Sequence, residues 1–502
     1  MSLQRMITCL MVRRVLRLIL SGTCKTMEIL EERSGIDRDS FEAILEMLND
    51  IGLITISEEE GGILVVTPNP QRDPSLYLRN LNTLIPEDFL LFEEEAEVIE
   101  NEDILDYFLK AASKFHVGDE NLILINILIG LTPWIETRTL HFYPCGMSGK
   151  GKSSLCSSVL AAVVPQGKYE VLKSASPMSF YYAWMAGQLS ENKIIFIDDV
   201  QANNEEFYGM LKSFAGNEHG NITPRHWTVD QHRKFLDMKP DMIYSIWLTS
   251  VTPLEDDQVK NRFIVANVDE SIEQDKKVQK YLDELIRHSR EREILKEKEF
   301  RIAKNVFNIL TEEVEPVIIP FKISFPLLQD RRNYPCFLVL LKAIAYANKF
   351  KRPYAGRYIV ALRKDFELAK LLWKSISESQ STKLSREAYK MLKVLPEDKE
   401  DALSRAEIAE LTGLSTRQVG TYGKELAKMN LINSDRVDKG KYIYWLNAKV
   451  LSRSQMSEDI LYKGIDEKVI AEFDIPEEIK SEIESTEDLE VTKKLREKYE
   501  DS

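Results

Sequence analysis

The segment GMSGKGKS, running from Gly146 to Ser153, fits the pattern GxxxxGK[ST]. Its glycines, Gly146, Gly149 and Gly151, allow successive backbone N–H groups to curl around phosphate oxygens. Lys152 has the reach for β and γ phosphates, and the Ser153 hydroxyl can ligate magnesium. Ser154 is grouped with them as a cofactor-binding residue. The expected cofactors are therefore ATP and Mg2+. About 45 residues later, KIIFIDD ends an apolar run on Asp198 and Asp199. After such a loop, an aspartate at a strand end can hold magnesium, here Asp198, and the next can orient an attacking water, here Asp199. A third apolar run, IYSIWLTS, ends on Thr249 and Ser250, where a polar group can sense the γ phosphate. Arg262 follows in DDQVKNRFIVANVDES, ahead of an apolar strand. An arginine so placed can project onto a neighbouring subunit's nucleotide, an effect worth about 10³–10⁵ in rate. The simpler alternative is a surface ion pair with Asp256 or Asp257.

These residues need a scaffold that brings strand ends together. From about residue 116, an apolar helix (NLILINILIGL) leads to the strand TLHFYPC and then the glycine-rich loop. Strand, loop and helix alternate to about 290, the mark of a parallel α/β sheet. Residues 291–395 read as a helical lid, interrupted by the extended, proline-punctuated VEPVIIPFKISFP. Residues 1–70 read as three helices and a hairpin turning at Gly61-Gly62, the order of a winged helix. A second winged-helix pattern occupies 396–450, with SRAEIAELTG, STRQVGTYGKELAKMN and a hairpin near Lys439-Gly440. Residues 71–115 read as an acidic connection. Residues 451–502, charged and poor in aromatics, read as a flexible tail.

Bulk properties agree with a soluble chain of several domains. The 502 residues are 44% hydrophobic and 29% charged, with net charge -14. No apolar run reaches the roughly 18 residues of a membrane span. The basic, apolar N-terminus superficially resembles a signal peptide, but Arg13, Arg14 and Arg17 interrupt it and favour an amphipathic helix. Cys9, Cys24, Cys145, Cys156 and Cys336 show no zinc spacing, and the six histidines form no HExxH. A reducing cytoplasm without a structural metal is the expectation.

The order of glycine-rich loop, DD strand, polar strand end and NRF resembles an AAA+ ATPase. Within that group it looks most like the minichromosome-maintenance (MCM) helicases and their relatives on mobile elements. NRF before an apolar strand and VDES is similar to the MCM arginine-finger segment. DRRNYPCFLVLLKAIAYANKFKR and YIVALRKDFELAKLLW resemble the MCM lid. By that likeness Arg331 or Arg332 would be the sensor-2 arginine, reaching from either side of a subunit interface. The likeness covers about 116–447. It departs at Asp-Asp, where MCM proteins have Asp-Glu, and at Thr-Ser, where an Asn is usual. Superfamily 3 viral helicases, a related group, also vary at the acidic pair. A winged helix stands where cellular MCM proteins carry an oligonucleotide-binding domain with zinc.

Between the DD strand and the Thr249 strand lies NITPRHWTVDQHRKFLDMKPD, which alternates like a hairpin. Its Arg225, His226, Arg233 and Lys234 lie near Trp227, a mixture suited to single strands through charge and stacking. In MCM helicases a hairpin in this place grips DNA in the central channel. The alternative is an ordinary surface hairpin with Trp227 in the core. Arg417 and Lys424 mark the candidate recognition helix of the second winged helix. The first one is acidic there (Asp37, Asp39, Glu42, Glu46, Asp50), which suits a protein partner as well as DNA; the acidic tail could also bind a protein. The resulting expectation is a ring-forming, hexameric, ATP-driven DNA helicase serving a mobile element, plasmid or virus. A non-translocating replication initiator or helicase loader, and a winged-helix transcription regulator, are the alternatives.

Overall fold

The computed structural model describes residues 2–22, 26–59, 63–72, 77–146, 149–172, 192–200, 209, 211–212, 215, 226–229, 235–238, 243–250, 262–287, 297–325, 333–381, 386–428, 431–438, 441–447 and 460–500. The first helix, α1 (Leu3–Leu20), begins at Ser2, whose side chain accepts the Arg5 N–H. Its apolar residues Ile7, Met11, Val12, Val15 and Leu16 are buried. Its arginines are used inside the protein. Arg5 donates to the carbonyls of Asn82, Ile85 and Phe89. Arg14 donates to the Ser34 and Arg33 carbonyls and pairs with Glu312 at 3.2 Å. These contacts give the helix a packing role. Next come α2 (Met27–Ser34), α3 (Arg38–Asp50) and the antiparallel pair β1 (Ile54–Glu59) and β2 (Ile63–Pro68).

Residues 71–115 are more than a connection. Helix α4 (Glu93–Asn101) and helix α5 (Ile104–Ser113) fall within them. Asp103 caps α5 by accepting from Leu105 and Asp106, a contact worth about 1 kcal/mol. Ile104, Leu105 and Phe108 of α5 are fully buried. The acidic composition concealed this because the acids lie on α4, where Glu94 and Glu95 meet Arg301.

Helix α6 (Glu120–Leu131) is buried on every face and packs beside the nucleotide-loop helix. The sheet follows, built from β3 (Phe142–Cys145), β4 (Tyr169–Leu172), β5 (Lys193–Ile197), β8 (Tyr244–Leu248) and β9 (Ile264–Asn267). All five are parallel, in the order β4-β5-β8-β3-β9. Every residue of β5 and β8 is buried, as in a sheet covered on both faces. Helix α7 (Lys152–Ala162) follows β3. A separate antiparallel pair, β6 (His226–Val229) and β7 (Phe235–Met238), is inserted between β5 and β8. Helix α8 (Ile272–Arg287) follows β9. One apolar cluster lies on one face of the sheet and contains Ile195, Ile246, Leu248 and Phe263. On the other face, a larger cluster joins α1, α3, α5, α6 and α7 in one core.

That larger core also takes in α9 (Lys298–Leu310), β10 (Val317–Ile318), β11 (Phe321–Ser324), α10 (Asn333–Ala347), β12 (Tyr354–Ala355), β13 (Tyr358–Val360) and α11 (Arg363–Ser381). A buried ion pair, Arg352–Asp365, ties the start of α11 to the preceding turn. Helix α12 (Arg386–Val394), placed in the lid by the sequence, instead shares a core with the elements after it. These are β14 (Leu403–Ser404), α13 (Arg405–Thr412), α14 (Thr416–Lys428), β15 (Ile432–Asp438) and β16 (Lys441–Leu446). Met391, Leu392 and Leu395 fill that core, so this module begins ahead of 396.

The expectation of a flexible tail is corrected for residues 460–500. Strand β17 (Leu461–Ile465) pairs with β11, and α15 (Glu467–Glu472), α16 (Glu477–Ile483) and α17 (Glu490–Glu500) follow. The charges that suggested disorder have partners. Lys494 pairs with Asp106 at 2.7 Å and Arg496 with Glu367 at 3.2 Å. Among the described residues no helix is long and apolar enough to cross a membrane.

Candidate nucleotide site

Parallel strands deliver their C-terminal ends to one edge of the sheet, the usual place for a ligand crevice. Here β3 delivers the glycine-rich loop, β5 delivers Asp198 and Asp199, and β8 delivers Thr249 and Ser250. Because β8 lies between β5 and β3, Thr249 is held between the acids and the loop. The cleft they form has a volume of about 360 Å³. Gly149, Gly151, Lys152, Ser153, Ser154, Asp198, Asp199, Thr249 and Ser250 line it, so the structure brings together nine residues from three strand ends.

Two glycines are required by geometry. Gly151 precedes α7 at φ 89°, a left-handed conformation that leaves the helix N-terminus open to the cleft. At Gly146, φ is 153°, and a Cβ would stand 2.6 Å from Val268 Cγ2 and 2.8 Å from Glu270 Oε1.

Polar groups converge inside the cleft. Lys152 is buried, and its Nζ donates to the Gly146 carbonyl at 2.6 Å. Ser153 Oγ donates to Asp198 Oδ1 at 2.6 Å, and Thr249 Oγ1 donates to the same oxygen at 2.7 Å. The Asp199 backbone N–H donates to Thr249 Oγ1 at 3.0 Å. Asp199 has φ 56°, a strained conformation for a residue with a side chain, and it is exposed. The donor set fits magnesium: a hydroxyl and a carboxylate, both hard oxygens, at a helix N-terminus where phosphates supply further ligands. Among the described residues no group of three or more His, Cys, Asp or Glu could hold a metal by itself.

A contact behind the cleft was not foreseen from the sequence. His116 Nδ1 lies 3.1 Å from Ser154 Oγ, and its Nε2 lies 3.2 Å from Asp119 Oδ2. The one local signal is His-x-x-Asp directly ahead of an apolar helix.

Other expected site residues lie elsewhere. Arg262 precedes β9, so it sits at the edge of the sheet opposite the cleft; its Nη1 donates to the Lys212 carbonyl. His226 opens β6. Arg225, Arg233, Lys234, Arg331 and Arg332 lie outside the described residues. Arg417 and Lys424 are exposed on α14, on the same face as Thr421 and Lys428, while Val419 and Leu426 point into the core.

A family model described as MTBMA_p00010 P-loop domain matches residues 90–313. The match includes α4 and α5, in keeping with their burial in the core. The uncharacterized protein MTBMA_p00010 of Methanothermobacter marburgensis is 27% identical over 379 residues, which cover 72% of this chain and 44% of that protein. The chain thus spans less than half the length of this relative. A full-length MCM homolog from Methanopyrus kandleri, a solved structure, aligns with TM-score 0.33 and 15% identity, over 60% of this chain and 64% of that one. The α/β region around the cleft is thus similar to a P-loop domain, a class that binds nucleotides.

Proposed function

We propose that this protein is a ring-forming, ATP-dependent DNA translocase or helicase of the AAA+ type, MCM-like, serving replication of a mobile element, plasmid or virus. The observation that carries the reading is the insertion of β6 and β7 between β5 and β8. A hairpin connected at both ends to the strands that hold Asp198 and Thr249 can move when the γ phosphate is made or lost. With Arg225, His226, Arg233 and Lys234 on or beside it, it is the part we assign to gripping DNA.

In this reading Lys152 neutralises the β and γ phosphates, and the open N-terminus of α7 supplies N–H donors. Ser153 and Asp198 would hold Mg2+, which supplies charge neutralisation at the phosphate oxygens. Thr249 fixes the Asp198 carboxylate and the Asp199 backbone, leaving the exposed Asp199 carboxylate to orient water. Arg262 is separated from its own cleft by the length of β9, four residues or roughly 13 Å. That distance supports action on a neighbouring subunit's nucleotide, and hence a homo-oligomer, which we take to be a hexamer. Arg331 or Arg332 would act as sensor 2.

We read residues 1–70 and the module of α12 to β16 as winged helices. The basic face of α14 suits DNA phosphates, whereas α3 exposes Asp39, Glu46 and Asp50 and suits a protein partner. The α14 face also favours a second reading, an origin-binding initiator that does not translocate.

Displacement of a labelled strand from forked DNA tests the proposal. The wild type should unwind with ATP, and Arg225→Ala/Lys234→Ala should not. Stable DNA binding without displacement would favour the initiator. ATP turnover retained by Lys152→Ala would reject the site.

A further inference from the structure

We propose that Arg405 is a preset clamp for a phosphate of duplex DNA, held ready by two tyrosines and a glycine of the α12–β16 module. This rests on the DNA-binding reading of that module above. Arg405 is the first residue of α13, directly after the Ser404 cap. Its Nε donates to Tyr444 Oη at 3.0 Å. Its Cζ lies 4.7 Å from the centroid of the Tyr442 ring. Both tyrosines come from β16, two residues apart, so they face the same side of the strand. One holds the edge of the guanidinium and the other its plane.

Helix α14 is shaped to receive this group. Gly420 and Gly423 are buried within it, although glycine is a poor helix former. A Cβ on Gly420 would stand 3.2 Å from Arg405 Cζ and 3.2 Å from its Nη1. A Cβ on Gly423 would stand 2.6 Å from Tyr444 Cε1. The two glycines thus let Arg405 and Tyr444 lie against the helix. Gly420 follows Arg417 by one helical turn and precedes Lys424 by another, so it borders the exposed face that carries both. Arg405 therefore adds a cation from a neighbouring helix to the margin of that face.

The charge is not spent inside the protein. A guanidinium carries several N–H donors, and the Tyr444 bond uses only the one on Nε. Among the described residues, no carboxylate pairs with Arg405 and no acceptor meets Nη1 or Nη2. Glu407, two residues on, turns back to accept the Ser404 N–H at 2.8 Å. A planar fork with its plane fixed and its Nη edge open pairs best with a carboxylate or a phosphate. Beside the exposed Arg417, Lys424 and Lys428, the matching anion is a nucleic-acid phosphate. A face one helix wide suits the major groove of a duplex. A phosphate contact carries no sequence information, so Arg405 sets affinity and register rather than the choice of site.

The test is fluorescence anisotropy of a labelled DNA duplex, read across a salt series. It uses the full chain carrying Arg225→Ala/Lys234→Ala, so that the hairpin does not mask the module. Arg405→Met keeps the stem and removes the charge. It should weaken binding about tenfold and lower the slope of log affinity against log salt by about one. The loss should be equal on two duplexes of unrelated sequence. Gly420→Ala keeps the charge but displaces the guanidinium, so it should also weaken binding, although alanine favours the helix. If Arg405→Met does not fold, Gly420→Ala and Arg405→Lys carry the comparison; the lysine, without a fork, should keep the slope and lose affinity. A purely structural Arg405 would lower the thermal midpoint and leave affinity and salt slope unchanged, and that result overturns the inference. Binding abolished by Arg417→Ala/Lys424→Ala but untouched by Arg405→Met overturns it as well. Labelled polyglutamate bound as tightly as the duplex would point to an acidic protein partner instead. No duplex binding by the chain with the altered hairpin, while the wild type still unwinds forked DNA, removes DNA from this module and leaves the helicase reading standing.

Discussion

The Thr249 hydroxyl donates to Asp198 Oδ1 at 2.7 Å and accepts the Asp199 backbone N–H at 3.0 Å. One side chain thus sets the direction of one acid and the backbone of the next. Thr249→Val preserves the shape and removes both bonds. It leaves the Asp199 N–H unpaired, a cost of about 1–3 kcal/mol. We expect ATP hydrolysis to fall about 10- to 100-fold, with a much smaller change in nucleotide affinity. Thr249→Ser should recover most of the rate. Equal rates for the Val and Ser variants would remove Thr249 from the mechanism.

Arg262 stands at the opposite end of β9 from the glycine-rich loop of its own chain. If it serves a neighbour, two inactive variants should complement. Arg262→Ala subunits keep Lys152, and Lys152→Ala subunits keep Arg262. Each alone should lose hydrolysis, by about 10³–10⁵ in the arginine case. Mixing them should restore part of it at interfaces that pair an intact cleft with an intact arginine. Mixtures as inactive as their components would place the arginine's effect within one subunit.

The chemistry legible in the sequence is the chemistry carried by contiguous residues. GMSGKGKS sits where a strand ends at Cys145 and α7 starts at Lys152, and Asp198 and Thr249 follow their strands directly. Such placements need only local rules. His116 was not legible because it meets Ser154 across 38 residues, through the packing of α6 on α7. The partners of Lys494 and Arg496 are more remote still, at Asp106 and Glu367. A charge whose partner is distant in sequence reads like a charge facing water. The boundary ahead of α12 was misplaced for a related reason: its apolar face suits either core, and only the fold selects one.

His141 is buried between β3 and β8, where its Nδ1 accepts the Ile246 N–H at 3.1 Å. Burial, then the Arg138 and Arg262 charges, push its pKa down to about 3. Above about pH 6.5 the ring is neutral in both folded and unfolded chains, and the shift has no effect. As pH falls from 6.5 toward 3, the unfolded chain takes up a proton that the folded chain refuses, so stability declines. The decline attributable to this group is at most about 1.4 kcal/mol per pH unit. His141→Asn keeps an acceptor without a titrating ring. Urea unfolding at pH 7.5, 6 and 5 should show a shallower loss for the variant. Parallel curves would mean that His141 titrates normally in the folded protein.

The tail gives the sharpest contrast between composition and structure. In 460–500 the residues Ile470, Ile475, Ile483, Val491 and Leu495 are buried, and the Val491 N–H donates to Asp103 Oδ2 at 3.0 Å. Val491 and Leu495 are four apart and share one face of α17, so the helix has an apolar stripe within a charged sequence. Leu495→Ala should cost about 2–5 kcal/mol, the usual range for a buried leucine. Removal of 460–502 should cost more, because it also uncovers β11 and takes Lys494 from Asp106 and Arg496 from Glu367. Thermal unfolding of both variants checks this. A solvated tail would leave the midpoint where it was. A lowered midpoint in the point variant would mean that the last helix belongs to the same core as α5, whose partner α6 begins immediately after Asp119.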